Sequence, residues 1–531
     1  MSVFKRFRRS ERGNVATMFA LALVPVFGVM GAAIDYARVT DVRAKLADAL
    51  DAGVLAVGTQ PDTTEEEAFE IVNDWITAHL GTEYADYWTL DSVELDDDAG
   101  TIIAHASGSV DTTIARVLGI YEMPISVISE AIRSLGKAEV VLVLDNTGSM
   151  KGTKLTELKK AAKALVTMLV ESSDDLADLR IALVPFSQTV RLSKDTTVLD
   201  GYKAAGWIDK DAKASTHNDI FTKDDGTVYT TNINRFTHFT KMQVPWAGCV
   251  ESRPYPNDVN EAAPNSAEPE TLYVPYFAPD EPDTTYKSGG KTYAAYNNNY
   301  LTDKSADKQW KGKQGNPAKY ANKFNGKSGT TGLLGYKYGP NSGCELEPIV
   351  RLGDDANSAS IKKITDAVDA MVAIGNTHIN VGLQWGWHVL SPKKPFEDGK
   401  PYDDKEWKKY VVLMTDGNNQ NTDTVTQNQN RSVYSGYAYN WQERFGTKTN
   451  DDDTRTEQLD ERLTALCANM KAEDVGIVIY TVRVEVNEGS AAALEGCASE
   501  PDFFKEVANA SQLEAEFKDI GGSIQKLRLQ K

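Results

Sequence analysis

The stretch Val140-Val141-Leu142-Val143-Leu144-Asp145-Asn146-Thr147-Gly148-Ser149 sets one carboxylate and two hydroxyls within five residues at the end of an aliphatic run. Such a run reads as a buried parallel strand whose C-terminal end projects those oxygens from one tight loop. Clustered carboxylate and hydroxyl oxygens suit Mg²⁺ or a similar hard cation, with water completing the shell. The plainer alternative makes Asp145 an ordinary polar residue capping a strand.

Other chemistries find less support. Ser149 has no base within its motif, and a serine whose oxygen holds a cation is poorly placed as a nucleophile. The six histidines, at positions 79, 105, 217, 238, 378 and 388, show no H-E-x-x-H spacing. Gly290-Lys291-Thr292 and Gly326-Lys327-Ser328 imitate the end of a P-loop, but Thr285 and Ala321 stand where its first glycine belongs. A net charge of −19 argues against nucleic acid as a partner, since binding phosphates needs clustered Lys and Arg. The acidic runs Asp96-Asp97-Asp98 and Asp451-Asp452-Asp453 lack the glycine and distal glutamate of an EF-hand and read as solvated turns.

The elements that must position the oxygen loop follow from periodicity. An amphipathic helix runs from Leu155 to Leu169, with apolar positions at 155, 158, 162, 165 and 169, and a strand covers Arg180 to Phe186. Helices are expected from Ile361 to Val372, from Val381 to Leu390, from Leu459 to Met470 and from Leu513 onward. Strands are expected to end at Asp416 and to span Val475 to Val482. This alternation predicts an α/β fold with a doubly wound, mostly parallel sheet over residues 138–531. Ligands of such sheets bind beyond the carboxyl ends of the strands, where Asp145 and Asp416 fall. Two insertions interrupt the pattern. Residues 192–350 are rich in Tyr, Asn, Thr, Gly and Lys, punctuated by Pro, and predict a loop-rich subdomain whose exposed tyrosines would serve recognition, with a decorated loop that has no partner as the alternative. Residues 418–456 form a shorter insertion that would overhang the loop carrying Asp416.

The 531-residue chain opens with Lys5, Arg6, Arg8, Arg9 and Arg12, followed by an uncharged span from Asn14 to Ile34 and then Asp35. About 20 apolar residues suffice to cross a bilayer. The basic flank predicts a cytoplasmic tail at 1–13, a transmembrane helix at 14–34 and the remainder outside the cytoplasm. A cleaved signal peptide is the alternative. Helical periodicity continues through Val39, Val42, Leu46, Ala49, Leu50 and Leu55. Residues 35–137 then predict a small α+β module: a helix over 63–80 with Ala68, Ile71, Trp75 and Ile76 on one side, and strands around Thr89–Leu95 and Thr101–Ala106 joined at Asp97-Asp98-Ala99-Gly100. Four cysteines with no C-x-x-C pair allow three disulfide pairings in an exported chain. Cys249–Cys344 and Cys467–Cys497 are preferred, because each closes a loop within one region.

Two resemblances sharpen these readings. The Asp145-to-Ser149 loop resembles the D-x-S-x-S loop of von Willebrand factor A domains, with Thr147 in place of the first serine. Ile374-Gly375-Asn376-Thr377 resembles that family's threonine-bearing loop, and Val411 to Gly417 its later strand ending in an aspartate. The head of the chain, through Arg12-Gly13-Asn14, the apolar span, Ala33-Ile34-Asp35 and the alanine- and leucine-rich helix, resembles the TadG-like group of Tad (tight adherence, Flp pilus) proteins. Together the resemblances cover residues 12–56, 138–191 and about 350–520. They imply a von Willebrand factor A-like domain whose metal-ion-dependent adhesion site holds Mg²⁺, with Mn²⁺ or Ca²⁺ as alternatives, through Asp145, Thr147, Ser149, Thr377 and Asp416. They further imply a non-catalytic pilus-assembly or tight-adherence protein, anchored in the inner membrane with its bulk periplasmic or extracellular. Its protein partner, a pilus or other Tad-type component, would offer an acidic residue to the metal. A stand-alone surface adhesin is the alternative. A metal-assisted hydrolase is the enzymatic one, with His378 its sole candidate base.

Overall fold

The computed structural model describes residues 13–529 except 59, 61–62, 97–100, 133–135, 174, 224, 226, 232, 305–307, 311–317, 322–337, 354, 422–427, 447–450 and 486–490. The basic tail before Gly13, the turn at 97–100 and Gly326-Lys327-Ser328 therefore lie outside the described residues. The chain divides into two compact units, residues 1–135 with 525–531, and residues 136–524.

The first unit is built on α1 (Gly13–Gly58), which contains Pro25, and α2 (Glu65–Leu80). Residues Met18–Gly58 make a helix long and apolar enough to cross a membrane. Thr64 starts α2 with a full capping box, its side chain and that of Glu67 satisfying each other's backbone N–H. Three antiparallel strands follow in the order β1 (Thr89–Asp96), β2 (Thr101–Asp111), β3 (Glu122–Ile132). The helices bury Val39, Val42, Leu46, Leu50, Val54, Ala68, Val72 and Ile76 against Ile102, Ala104 and Val127 of the sheet. The buried stripe differs by a step from the periodicity expected above: Val54 is buried where Leu55 stands 63% exposed. On α2, Val72 is buried and Trp75 is largely outside. Trp75 stacks instead on His79 one turn later. Asp35 carries out a structural task. Its buried carboxylate accepts the N–H groups of Thr113, Ile114 and Ala115 at 3.0, 2.8 and 2.6 Å, holding the turn before β3.

In the second unit β4 (Lys137–Asp145) is central. Pairing is parallel throughout, in the order β8 (Phe504–Val507), β7 (Val478–Val484), β6 (Trp407–Thr415), β4, β5 (Leu179–Phe186). This is the doubly wound parallel α/β sheet predicted from the sequence. Val141 and Val143 face one side with Ala182, Val184, Val411 and Leu413. Val140, Leu142 and Leu144 are buried on the other, as period-2 alternation in a doubly covered sheet requires. The crossover helices are α3 (Thr153–Glu171), α4 (Ser358–Ala370), α5 (Ile379–Leu390), α6 (Asp452–Met470) and α7 (Ala492–Cys497), and α8 (Leu513–Leu529) follows the last strand. Asp451 caps α6 by accepting the Thr454 N–H, so that acidic run opens a helix. Helix α5 is buried along its whole length and approaches the sheet closely at two glycines. A Cβ at Gly382 would lie 2.4 Å from the Phe186 ring and one at Gly386 2.6 Å from Val143.

The disulfides Cys249–Cys344 and Cys467–Cys497 form as preferred from the sequence. The insertion at 192–350 returns to the sheet at Val350, which exchanges both backbone hydrogen bonds with Leu183 at 2.9 Å. Its tyrosines correct the expectation of an exposed recognition surface: Tyr273, Tyr276, Tyr296, Tyr300 and Tyr320 are buried, while Tyr255 and Tyr293 are exposed. Tyr273, Tyr276, Tyr300 and Tyr320 pack with Trp207, Phe221 and Phe277 in an aromatic core continuous with Val141, Val143 and Val184 of the sheet. The shorter insertion joins it through charge. Arg444 reaches Glu251 and Asp219 at 2.6 Å each, and Glu251 also accepts from the fully buried Arg235 at 2.5 Å. Gly290-Lys291-Thr292 lies in an exposed hairpin between Thr285–Ser288 and Lys291–Ala294, with none of the strand-to-helix context of a phosphate loop.

Candidate metal centre

Strand β4 has β5 on one side and β6 on the other, so the sheet's winding reverses between β4 and β6. The crevice beyond the carboxyl ends of those two strands is where open α/β sheets bind ligands. Asp145 ends β4 and Asp416 follows β6 directly, which brings both carboxylates to that crevice.

The loop after β4 is closely tied. Thr147 N–H donates to Asp145 Oδ1 at 2.7 Å, and the Thr415 hydroxyl donates to Asp145 Oδ2 at 2.6 Å. From there a chain of oxygens runs across the rim. Thr147 Oγ1 lies 2.9 Å from Ser149 Oγ, and the Ser149 hydroxyl donates to Asp416 Oδ1 at 2.7 Å. Asp145 and Thr147 are buried, whereas Ser149 opens to solvent. The structure thus gathers four of the five expected residues into one hydrogen-bonded set.

Thr377 stands on a loop stitched to the same turn. Ile374 N–H donates to Asn146 O at 2.7 Å and Gly148 N–H to Gly375 O at 3.0 Å. Thr377 is itself buried, and its carbonyl accepts Gln420 N–H at 2.8 Å from the start of the shorter insertion. Residues Asn418 to Asn421 therefore cover this loop, and 422–427 lie outside the described residues. His378 is enclosed next to Tyr437 and Phe445, and burial lowers its pKa to about 4. A neutral, shielded ring in that setting packs the start of α5.

Burial, and then the negative charge of Asp416, push the Asp145 carboxyl up to about 7. Lys154, from the first turn of α3, supplies the compensation that sequence reasoning missed, its Nζ lying 2.8 Å from Asp416 Oδ2. The Thr415 hydroxyl was missed too. Both were legible in principle: Thr415 adjoins Asp416, and Lys154 lies within the turn leading out of the Asp145 loop. The Asn146 carboxamide is fully buried, and neither of its polar atoms has a hydrogen-bond partner among the described residues. Among the described residues no three His, Cys, Asp or Glu side chains cluster as a metal site. The oxygens present here, two carboxylates and hydroxyls, fit a hard cation and fit zinc-type nitrogen and sulfur ligation poorly.

Comparison with known proteins places the N-terminal segment. Residues 13–60 match the family model Tad, described as "Putative Flp pilus-assembly TadE/G-like". No curated protein matches the chain. Among solved structures, the pilus adhesin SpaC from Lactobacillus rhamnosus GG is similar at 11% identity and a TM-score of 0.32, over 84% of this chain and 35% of that one. The vWF domain of the type V pili tip protein Mfa5 from Porphyromonas gingivalis is similar at 10% identity and a TM-score of 0.30, over 73% of this chain and 95% of that one. Proximal thread matrix protein 1 from the mussel byssus, whose structure has a zinc-occupied MIDAS motif, is similar at 11% identity and a TM-score of 0.27, over 73% of this chain and 47% of that one. The chain spans about a third of the SpaC chain it matches. Residues 13–60 are thus a TadE/G-like segment, carried by a chain whose larger unit is a doubly wound α/β sheet.

Proposed function

We propose that this is a membrane-anchored, non-catalytic component of a Tad-type pilus or tight-adherence system that grips a protein partner through a divalent cation. Asp145, Thr147, Ser149 and Asp416 would hold the ion, with Thr377 contributing from the neighbouring loop. Mg²⁺ suits the oxygen set best, and Mn²⁺ or Ca²⁺ would be accepted. The cation would supply an open coordination position for a carboxylate of the partner. Around it, this chain's residues orient: Thr415 and the Thr147 backbone fix both oxygens of Asp145, and Lys154 fixes Asp416.

The observation that carries this reading is the continuous set of rim oxygens at the sheet's switch point, in a chain whose head is TadE/G-like. The long apolar helix supports anchorage in the inner membrane, with the larger unit outside the cytoplasm. A stand-alone surface adhesin would use the same rim. Affinity capture from detergent-extracted membranes separates the readings. Pilus components should be retained with Mg²⁺ and lost with chelator or with Asp145→Ala. Retention unaffected by either treatment would remove the cation from the mechanism.

A further inference from the structure

Lys319 opens a short helical turn in the large insertion and is almost wholly enclosed. Its Nζ lies 2.7 Å from Asp280 Oδ2 and 2.6 Å from Asp303 Oδ1, and both carboxylates are buried. The next residue, Tyr320, packs against Phe221, His238 and Phe277, so the neighbouring surroundings are aromatic. Three ionisable groups taken out of water together are costly to keep as ions.

The two oxygens of Asp280 have different surroundings. Oδ1 accepts the backbone N–H groups of Tyr300 and Leu301 at 2.7 and 2.6 Å, whereas Oδ2 faces the lysine. Paired N–H donors on one carboxyl oxygen are the arrangement that stabilises an oxyanion in acyl transfer. Asp303 is oriented by Asp283 N–H, which donates to its Oδ2 at 2.8 Å and leaves Oδ1 toward Nζ. A nucleophile, a polarised acyl group and a proton carrier therefore meet at one point.

We propose that Lys319 and Asp280 condense to an intramolecular isopeptide bond, Nζ to Cγ, with Asp303 carrying the protons. The reaction starts from the ammonium and two carboxylates. One lysine proton passes to Asp280 Oδ2, giving a neutral amine and a neutral acid. Nζ attacks Cγ, and Asp303 takes a second proton from the nitrogen while the Tyr300 and Leu301 N–H groups hold the oxyanion. Asp303 returns that proton to the departing Oδ2 hydroxyl, water leaves, and the amide remains. Two buried charges become a neutral amide and Asp303 ends as it began, so no outside reagent is consumed. Burial raises Asp280 to about 7, which eases the first transfer. The two carboxylates outweigh burial at Lys319 and hold its pKa up, so fixed proximity must supply the drive. The bond would lie within the span closed by Cys249–Cys344 and, unlike that disulfide, would withstand reduction.

Peptide mass mapping of the purified, reduced full-length chain tests this. The wild type should yield one branched peptide containing Lys319 and Asp280, lighter than its two arms by one water. Lys319→Arg should yield the arms separately. Asp303→Asn should retain both reacting residues unjoined, and formation of the Cys249–Cys344 disulfide in that variant would show the insertion folded. A wild-type digest containing only separate arms overturns the proposal, as does a branch joining Lys319 to Asp303. Joining undiminished in Asp303→Asn would overturn the role given to Asp303.

Discussion

At the rim the ammonium of Lys154 sits on the Asp416 carboxylate. It both orients Asp416 and competes with any incoming cation. Lys154→Met should therefore tighten divalent-ion binding by roughly fivefold, about 1 kcal/mol for a part-exposed pair, read by calorimetric titration against the wild type. Away from the rim, His217 provides the clearest titration. Its Nε2 accepts Arg235 N–H at 2.9 Å and its Nδ1 lies 3.2 Å from Asp209, so the neutral tautomer with the proton on Nδ1 satisfies both. Burial, chiefly, lowers its pKa to about 4. The unfolded chain takes up that proton near pH 6.5 and the folded chain does not, so the stability this residue contributes falls as pH drops from about 6.5 to about 4 and levels off below. The slope is ~1.4 kcal/mol per pH unit. NMR should show the His217 ring neutral at pH 5; a titration midpoint near 6.5 would contradict the packing.

At the scale of elements, α5 positions the Thr377 loop through its two glycines. Gly382→Ala would force the helix from Phe186 and should cost about 1–3 kcal/mol in urea denaturation, with divalent-ion affinity falling alongside stability. The Cys467–Cys497 bridge ties α6 to α7, and its removal by Cys467→Ser with Cys497→Ser should cost roughly 2–4 kcal/mol by the same measurement. Much of this framework was legible beforehand. The aliphatic runs ending at Leu144 and Met414 read as strands because both faces of a parallel sheet are covered, and the helices between them showed their 3.6-residue period. The α1 stripe was misjudged at Leu55 because small residues at Ala52, Gly53 and Ala56 blur where the apolar face turns. The insertion's tyrosines were misjudged because loop composition suggests exposure, and only the tertiary structure reveals that Tyr276, Tyr300 and Tyr320 form an interior. Lys319 has no signature in the sequence, because a lone lysine is unremarkable until the fold sets Asp280 and Asp303 around it.

At the scale of the whole molecule, a TadE/G-like head precedes an α/β unit. The long apolar helix and the basic residues Lys5, Arg6, Arg8, Arg9 and Arg12 before it predict one membrane crossing with the α/β unit outside the cytoplasm. A reporter fused after Lys137 that is active only in the cytoplasm should stay dark; activity there would reverse the topology. The cation remains the central claim, and calorimetric titration with Mg²⁺ and Mn²⁺ tests it most directly. Wild-type protein should bind one ion. Thr147→Ser should bind nearly as well, because the hydroxyl is kept, and Thr147→Ala more weakly. Asp145→Ala should remain folded and bind none, since the residue lies at the sheet's rim and its loss relieves repulsion with Asp416. Equal binding by wild type and Asp145→Ala would contradict the account and leave the Asp145 loop a strand cap.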